Sequence, residues 1–163
     1  MQTSLNTTKE WYSENGLQMN SNKTQCILLA TPNLNKRTET FQITIDDTVR
    51  HVEDKVRNLG VIFDSHLSFE HHIKSLRSRL NGTLSYLNRV KNTLDQNSTI
   101  LLINALIFSH LNYCSLIWGK CSKKLQYEVQ TCINFAAKVT SNGKYLKRDH
   151  VSPLLRDLKW INQ

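Results

Sequence analysis

Glycine and proline are scarce, 5 and 2 residues in 163, which excludes collagen-like repeats, low-complexity linkers and Pro-rich disorder. Cys26, Cys114, Cys121 and Cys132 contain no Cys-x-x-Cys pair, so reduced, packed thiols are expected rather than a disulfide framework or a zinc site. No long uninterrupted apolar run is present. The richest stretch, Ile100 to Trp118, carries Asn104, Ser109, His110 and Asn112, and predicts a buried helix, not a membrane span. The opening MQTSLNTTKEW has no apolar core of the kind a secretory signal needs. A soluble intracellular protein is expected, nucleus or cytoplasm undecided. Without secretion, the Asn-x-Ser/Thr sites at Asn6, Asn22, Asn81 and Asn97 carry little meaning. HExxH, nucleophile-elbow and Walker patterns are all missing.

Acid is the most informative shortage. Against 21 Lys and Arg stand 13 Asp and Glu. The imbalance is local: residues 1–72 hold 7 basic and 9 acidic side chains, whereas residues 73–163 hold 14 basic and 4 acidic, a net +10. Such asymmetry suggests that the C-terminal part faces a polyanion. The length allows about 70% of the unfolded surface to be buried, enough for one ordinary domain or two small pieces.

Apolar spacing divides the chain into a strand-rich and a helical part. A short helix is predicted over Leu5–Asn15, stopped at Gly16. Gln25–Ala30 reads as a β-type run, Phe41–Asp46 alternates cleanly, and Asn58–Phe63 reads as a further strand interrupted by Gly60. Short strands joined by turns favour an antiparallel ribbon. Beyond Asp64 the period changes to about 3.6. Ser68 is the expected cap of a long helix with Ile73, Leu76, Leu80, Leu84, Leu87, Val90 and Leu94 inward. Ser98 is expected to cap a second, continuous helix, Thr99–Trp118, apolar nearly all round and central. Ser122 opens a third, with Leu125, Val129, Cys132, Ile133, Ala136 and Val139 inward. Ser152-Pro153 opens a last one, Leu154–Ile161. The fold class expected is α+β, a small antiparallel β ribbon over residues 1–64 followed by a three- to four-helix bundle over residues 65–163.

Few residues assemble chemistry. Adjacent Asp46 and Asp47 invite a Mg²⁺ reading, but no aromatic precedes them as in polymerase turns, and acids after a strand are ordinary turn formers. His66 and Glu70, four apart, could share an ion; His71 and His72 diverge by about 100°. His110, Cys114 and Cys121 lack a fourth ligand. No metal site is assigned. The basic half offers Arg77, Arg79, Arg89 and Lys91 along the long helix, Lys120, Lys123 and Lys124 at a helix junction, and Lys144, Lys147 and Arg148 in the next loop. These side chains reach phosphates without reading sequence. Tyr86, Tyr113, Trp118 and Tyr127 could stack on bases, with core packing as the default reading.

The order of short motifs carries a resemblance. Trp11, Asn15-Gly16-Leu17, Asn20 and Lys23-Thr24 are followed by Asn58-Leu59-Gly60-Val61, Phe63-Asp64, Leu67-Ser68-Phe69 and His72-Ile73. Then come Leu106-Ile107, Ser109-His110-Leu111, Tyr113-Cys114 and Ile117-Trp118-Gly119, next Gln130 with Asn134-Phe135-Ala136-Ala137, and last Leu154-Leu155, Leu158 and Trp160. In this order they resemble the C-terminal palm and thumb of non-LTR, LINE-type, jockey-like retrotransposon reverse transcriptases. The resemblance implies RNA-directed DNA polymerase activity in an intact enzyme that uses Mg²⁺. It places Lys23 at the motif that donates a proton to departing pyrophosphate. Leu59, Gly60 and Val61 fall at a primer-gripping hairpin, and the basic helices at a thumb that closes on a template–primer duplex of RNA–DNA or DNA.

The family's catalytic Asp-Asp belongs ahead of Trp11, where this sequence has no Asp; the fingers and most of the palm have no counterpart either. A catalytically inactive fragment without a cofactor of its own is expected, retaining sequence-independent duplex binding and no membrane contact. The alternative is a non-catalytic module that docks a protein through the apolar helix.

Overall fold

In the computed structural model, residues 2–31, 41–46, 48–141, 143–145 and 149–160 are described. Helices combine with two small antiparallel two-stranded sheets, an α+β arrangement in general terms. The chain divides into two compact units, Met1–Ser68 and Phe69–Gln163.

Helix α1 of the first unit, Gln2–Glu14, starts earlier than its apolar spacing predicted and buries no side chain. Gly16, at φ +69°, ends it in the left-handed conformation, and Leu17 N–H returns to Tyr12 O at 2.8 Å. At the other end the Gln2 amide imitates a strand residue. Its Nε2 donates to Thr44 O at 2.8 Å and its Oε1 accepts from Thr44 N at 3.2 Å. Strand β1, Gln42–Ile45, pairs with β2, Thr48–His51, in the register Gln42↔His51 to Ile45↔Thr48. Strand β3, Lys55–Asn58, pairs with β4, Val61–Asp64.

Two β expectations are corrected here. Asn58–Phe63 is not one strand, because Leu59 and Gly60, at φ +46° and +87°, both turn left-handed and make the two-residue turn whose twist suits a hairpin. Gln25–Ala30 belongs to neither sheet; its apolar run does not alternate, and it is tied by a parallel bridge from Cys26 to Val52, with Glu53 N–H on Cys26 O at 2.8 Å, and by Ala30 N–H on Ser65 O at 3.1 Å.

The second unit opens on α2, Glu70–Val90. Ser68 is not its cap: the Ser68 hydroxyl donates to Asp64 Oδ2 at 3.0 Å, and Phe69, left-handed at φ +58°, occupies the cap position with no side-chain hydrogen bond. Ile73, Leu76, Leu80, Leu84 and Leu87 are buried as the 3.6 period requires. The helix stops at Val90, and a 3₁₀ turn, Lys91–Thr93, leaves Val90 and Leu94 half-buried.

The single helix expected over Thr99–Trp118 is broken. Asp95, not Ser98, caps it, accepting from Asn97 N and Ser98 N. Helix α3, Gln96–Ile103, passes into a π-helical turn, Asn104–Phe108, then α4, Ser109–Asn112; after left-handed Cys114, at φ +52°, comes α5, Ser115–Trp118. A π turn inserts a residue into the helical repeat and rotates everything after it. Ile103, Ile107, Leu111 and Trp118 therefore stay buried, while Leu101, Leu106, Leu116 and Ile117 are exposed, Leu116 at 95%. This segment is not apolar-packed on all sides.

Ser122 does cap the next helix, α6, Lys123–Thr140, accepting from Leu125 N at 3.5 Å. It packs along α2 through Leu125, Cys132, Ala136 and Val139, with Val129 and Ile133 half-buried. Helix α7, Ser152–Asp157, seats Leu154 and Leu155 on Ala137 and is shorter than predicted, Lys159 turning left-handed at φ +56°. Trp160 packs against Phe108 with ring centres 4.8 Å apart and planes tilted by 60°. Among the described residues, no helix is long and apolar enough to cross a membrane.

Candidate nucleic-acid interface

The predicted cations divide into engaged and open groups. On the flank where α2 meets α6, Arg77 Nη1 pairs with Glu128 Oε2 at 3.2 Å, and Lys74 Nζ with Glu70 Oε1 at 2.6 Å. The hydrogen bond and charge of Lys74 hold the Glu70 carboxyl below its ordinary range, with a smaller contribution from Lys124; the same contact raises Lys74. This is an alternating mesh at the surface, where ion pairs add little stability. It occupies Arg77 with a carboxylate. Neither partner of Arg77 nor the Lys74–Glu70 pair was anticipated, although Glu128 lies one turn before Cys132 on the inward edge of α6.

Arg79, Arg89, Lys120 and Lys123 are exposed, and none is ion-paired among the described residues. The junction carrying Lys120 and Lys123 is held by Gln126, whose Nε2 donates to Gly119 O at 3.2 Å and Cys121 O at 3.0 Å. Lys91 is half-buried in its 3₁₀ turn and Lys144 is exposed; Lys147 and Arg148 lie outside the described residues. Exposed cations without paired acids add positive potential, which suits a phosphate backbone.

Core packing, the default reading of the aromatics, holds only for Trp118. It is buried against His72, ring centres 5.9 Å apart, and its Nε1 donates to Tyr113 O at 3.0 Å. Tyr86, Tyr113 and Tyr127 are 59%, 52% and 70% exposed. Tyr127 follows Lys123 by one turn, and Tyr86 precedes Arg89 by three residues, so each ring has a cation as a helical neighbour. The adjacent Cys114 pushes the Tyr113 phenol up through its charge and a hydrogen bond.

In the first unit, Lys23 ends a 3₁₀ turn, Ser21–Lys23, and stays exposed; Asn20 Oδ1 fixes it by accepting from Lys23 N at 3.1 Å. Leu59-Gly60-Val61 divides in two. Leu59 stands 82% exposed at the hairpin tip, while Val61 is 1% exposed and belongs to the core. Below the hairpin, buried Asp64 accepts from His66 N at 3.2 Å, Ser68 N at 2.9 Å and Ser68 Oγ at 3.0 Å, wrapping the chain around one carboxylate. The spacing Asp-x-x-x-Ser was its only signal.

The described candidates for a metal ligand are engaged in other contacts. Asp46 is a left-handed turn residue paired with Lys9, and Asp47 lies outside the described residues. His66 Nδ1 shares a 3.1 Å hydrogen bond with Ser65 Oγ. Among the described residues, no three His, Cys, Asp or Glu side chains come together as a ligand set. All four cysteines are unbridged; burial pushes the thiols of Cys26, Cys121 and Cys132 up, away from the thiolate form.

Compared with protein-family models, with curated proteins and with solved structures, the chain matches none.

Proposed function

We propose that the helical unit is a sequence-independent nucleic-acid-binding module, thumb-like in the sense of a non-LTR reverse transcriptase, which grips the backbone of an RNA–DNA or DNA duplex. What carries the reading is charge placement. Residues 73–163 hold 14 cations against 4 acids, and Arg79, Arg89, Lys120 and Lys123 project from α2 and the start of α6 without acidic partners among the described residues. Guanidinium and ammonium groups so placed displace counterions from phosphates whatever the base sequence.

The first unit would serve as the palm-derived part. Its hairpin tip, Leu59-Gly60, and Lys23 are both exposed. This sequence is proposed to bind a template–primer duplex.

The test is reversal of the junction charges, Lys120→Glu with Lys123→Glu and Lys124→Glu, read as affinity for a labelled RNA–DNA hybrid at low salt. A loss of tenfold or more is expected; unchanged affinity would overturn the reading. A second reading, docking of a protein on the α3–α5 segment, draws on the exposure of Leu101, Leu106, Leu116 and Ile117. It predicts a complex that survives both high salt and the charge reversals.

A further inference from the structure

Gly82 lies in the interior of α2, where glycine costs about 1 kcal/mol relative to alanine. Glycine is tolerated in such places when a left-handed turn or a close approach demands it, and neither applies here. Gly82 has no left-handed φ, and a Cβ built on it would meet nothing within 4 Å. Packing therefore gives no reason for the missing side chain. Its neighbours do. Arg79, Gly82, Tyr86 and Arg89 are spaced 3, 4 and 3 residues apart, which sets them in one stripe along the helix. Aromatic side chains on a helix lean back over the preceding turn, and the preceding turn below Tyr86 is the one that Gly82 leaves bare.

Tyr86 is 59% exposed, so the stripe combines an open shelf, an exposed ring one turn beyond it and one guanidinium toward each end. Neither Arg79 nor Arg89 is ion-paired among the described residues. A flat, uncharged group flanked by negative charges is the complement of this arrangement. An unpaired nucleotide has that form, a base between two phosphates. A duplex does not, since its base faces are already stacked.

We infer that Arg79, Gly82, Tyr86 and Arg89 form a subsite for single-stranded nucleic acid, in which an unpaired base stacks on Tyr86 over Gly82 while the arginines contact the phosphates on either side. The inference rests on the nucleic-acid-binding reading above and adds to it a place, a strand type and a stacking contact. Base–aromatic stacking is worth about 1–3 kcal/mol per base and tolerates any base. The arginines supply the charge of the phosphate contacts and, as planar cations, can flank a stacked ring.

The experiment measures affinity of the full chain for labelled oligouridine and for a labelled RNA–DNA hybrid, at low salt. Tyr86→Phe keeps the stacking face, Tyr86→Leu removes it, and Gly82→Met fills the shelf. Expected are near-normal oligouridine affinity for Tyr86→Phe and a loss of about tenfold for Tyr86→Leu. Gly82→Met should show a comparable loss while unfolding at a higher temperature than the parent, a combination that damage to the fold cannot produce. Joint replacement of Arg79 and Arg89 by Gln should reduce the log–log salt slope for oligouridine by about 1.4, or 0.7 per phosphate released. If Tyr86→Leu and Gly82→Met bind oligouridine like the parent while the hybrid is bound normally, the subsite is overturned and the broader reading stands. If Tyr86→Phe loses as much as Tyr86→Leu, the stacking contact is wrong. If neither nucleic acid binds at low salt, both fall together.

Discussion

Asp64 shows how much one side chain can decide. Sequence alone marks it as the end of a strand, and the hydrogen bonds it accepts from His66 and Ser68 could not be foreseen because they depend on left-handed Leu67 returning the chain. A buried carboxylate satisfied by three donors is costly to remove. Asp64→Ala is expected to destabilise the first unit by about 2 kcal/mol and Ser68→Ala by about 1 kcal/mol, measured by urea unfolding. Ser68 was legible as a helix-capping type of residue, but not as one whose hydroxyl Asp64 would claim.

At the surface, Glu70 and Lys74 make a weaker statement. The Glu70 carboxyl titrates below its ordinary value of 4.5 in the folded chain. The unfolded chain therefore binds the proton more readily, and the contribution is present above about pH 4.5 and lost as pH falls through the folded value. Glu70→Gln should cost a little stability at neutral pH and nothing in acid or high salt. Equal cost at both pH values would show that the ion pair is not responsible.

Among the elements, α2 was the most legible, because its apolar residues repeat at helical spacing for five turns and a neighbouring amphipathic helix exists to receive them. Leu84 is fully buried there. Leu84→Ala should destabilise the helical unit by about 3 kcal/mol in denaturant unfolding; a cost under 1 kcal/mol would mean that α2 and α6 do not share a core. Helix beginnings were harder. Asp95 and Ser98 are both capping residues three apart, and the earlier one took the role, adding a turn.

The π-helical turn was invisible, since it leaves no compositional mark, and it changed which side chains of the segment meet solvent. Exposure of Tyr86 and Tyr127 was likewise unreadable from residue type, since tyrosine is intermediate between core and surface. Helical arithmetic from the buried stripe could have found it: on α2 Tyr86 lies well away from the line of Leu80, Leu84 and Leu87.

For the whole molecule, the charge division survives every correction to the elements, because it depends on composition and not on where a helix begins. Structure adds the distinction between cations that carboxylates already engage, such as Arg77, and those left open, such as Arg79, Arg89 and Lys123. The change of apolar period beyond Asp64 marks where strand-type spacing gives way to helical spacing, and the strands form two hairpins rather than one ribbon.

The most direct measurement is the affinity of the chain for an RNA–DNA hybrid as a function of salt. With four open cations contacting phosphates, log affinity should fall linearly with log salt concentration with a slope of about −3.6. Affinity independent of salt, or no binding at low salt, would contradict the account.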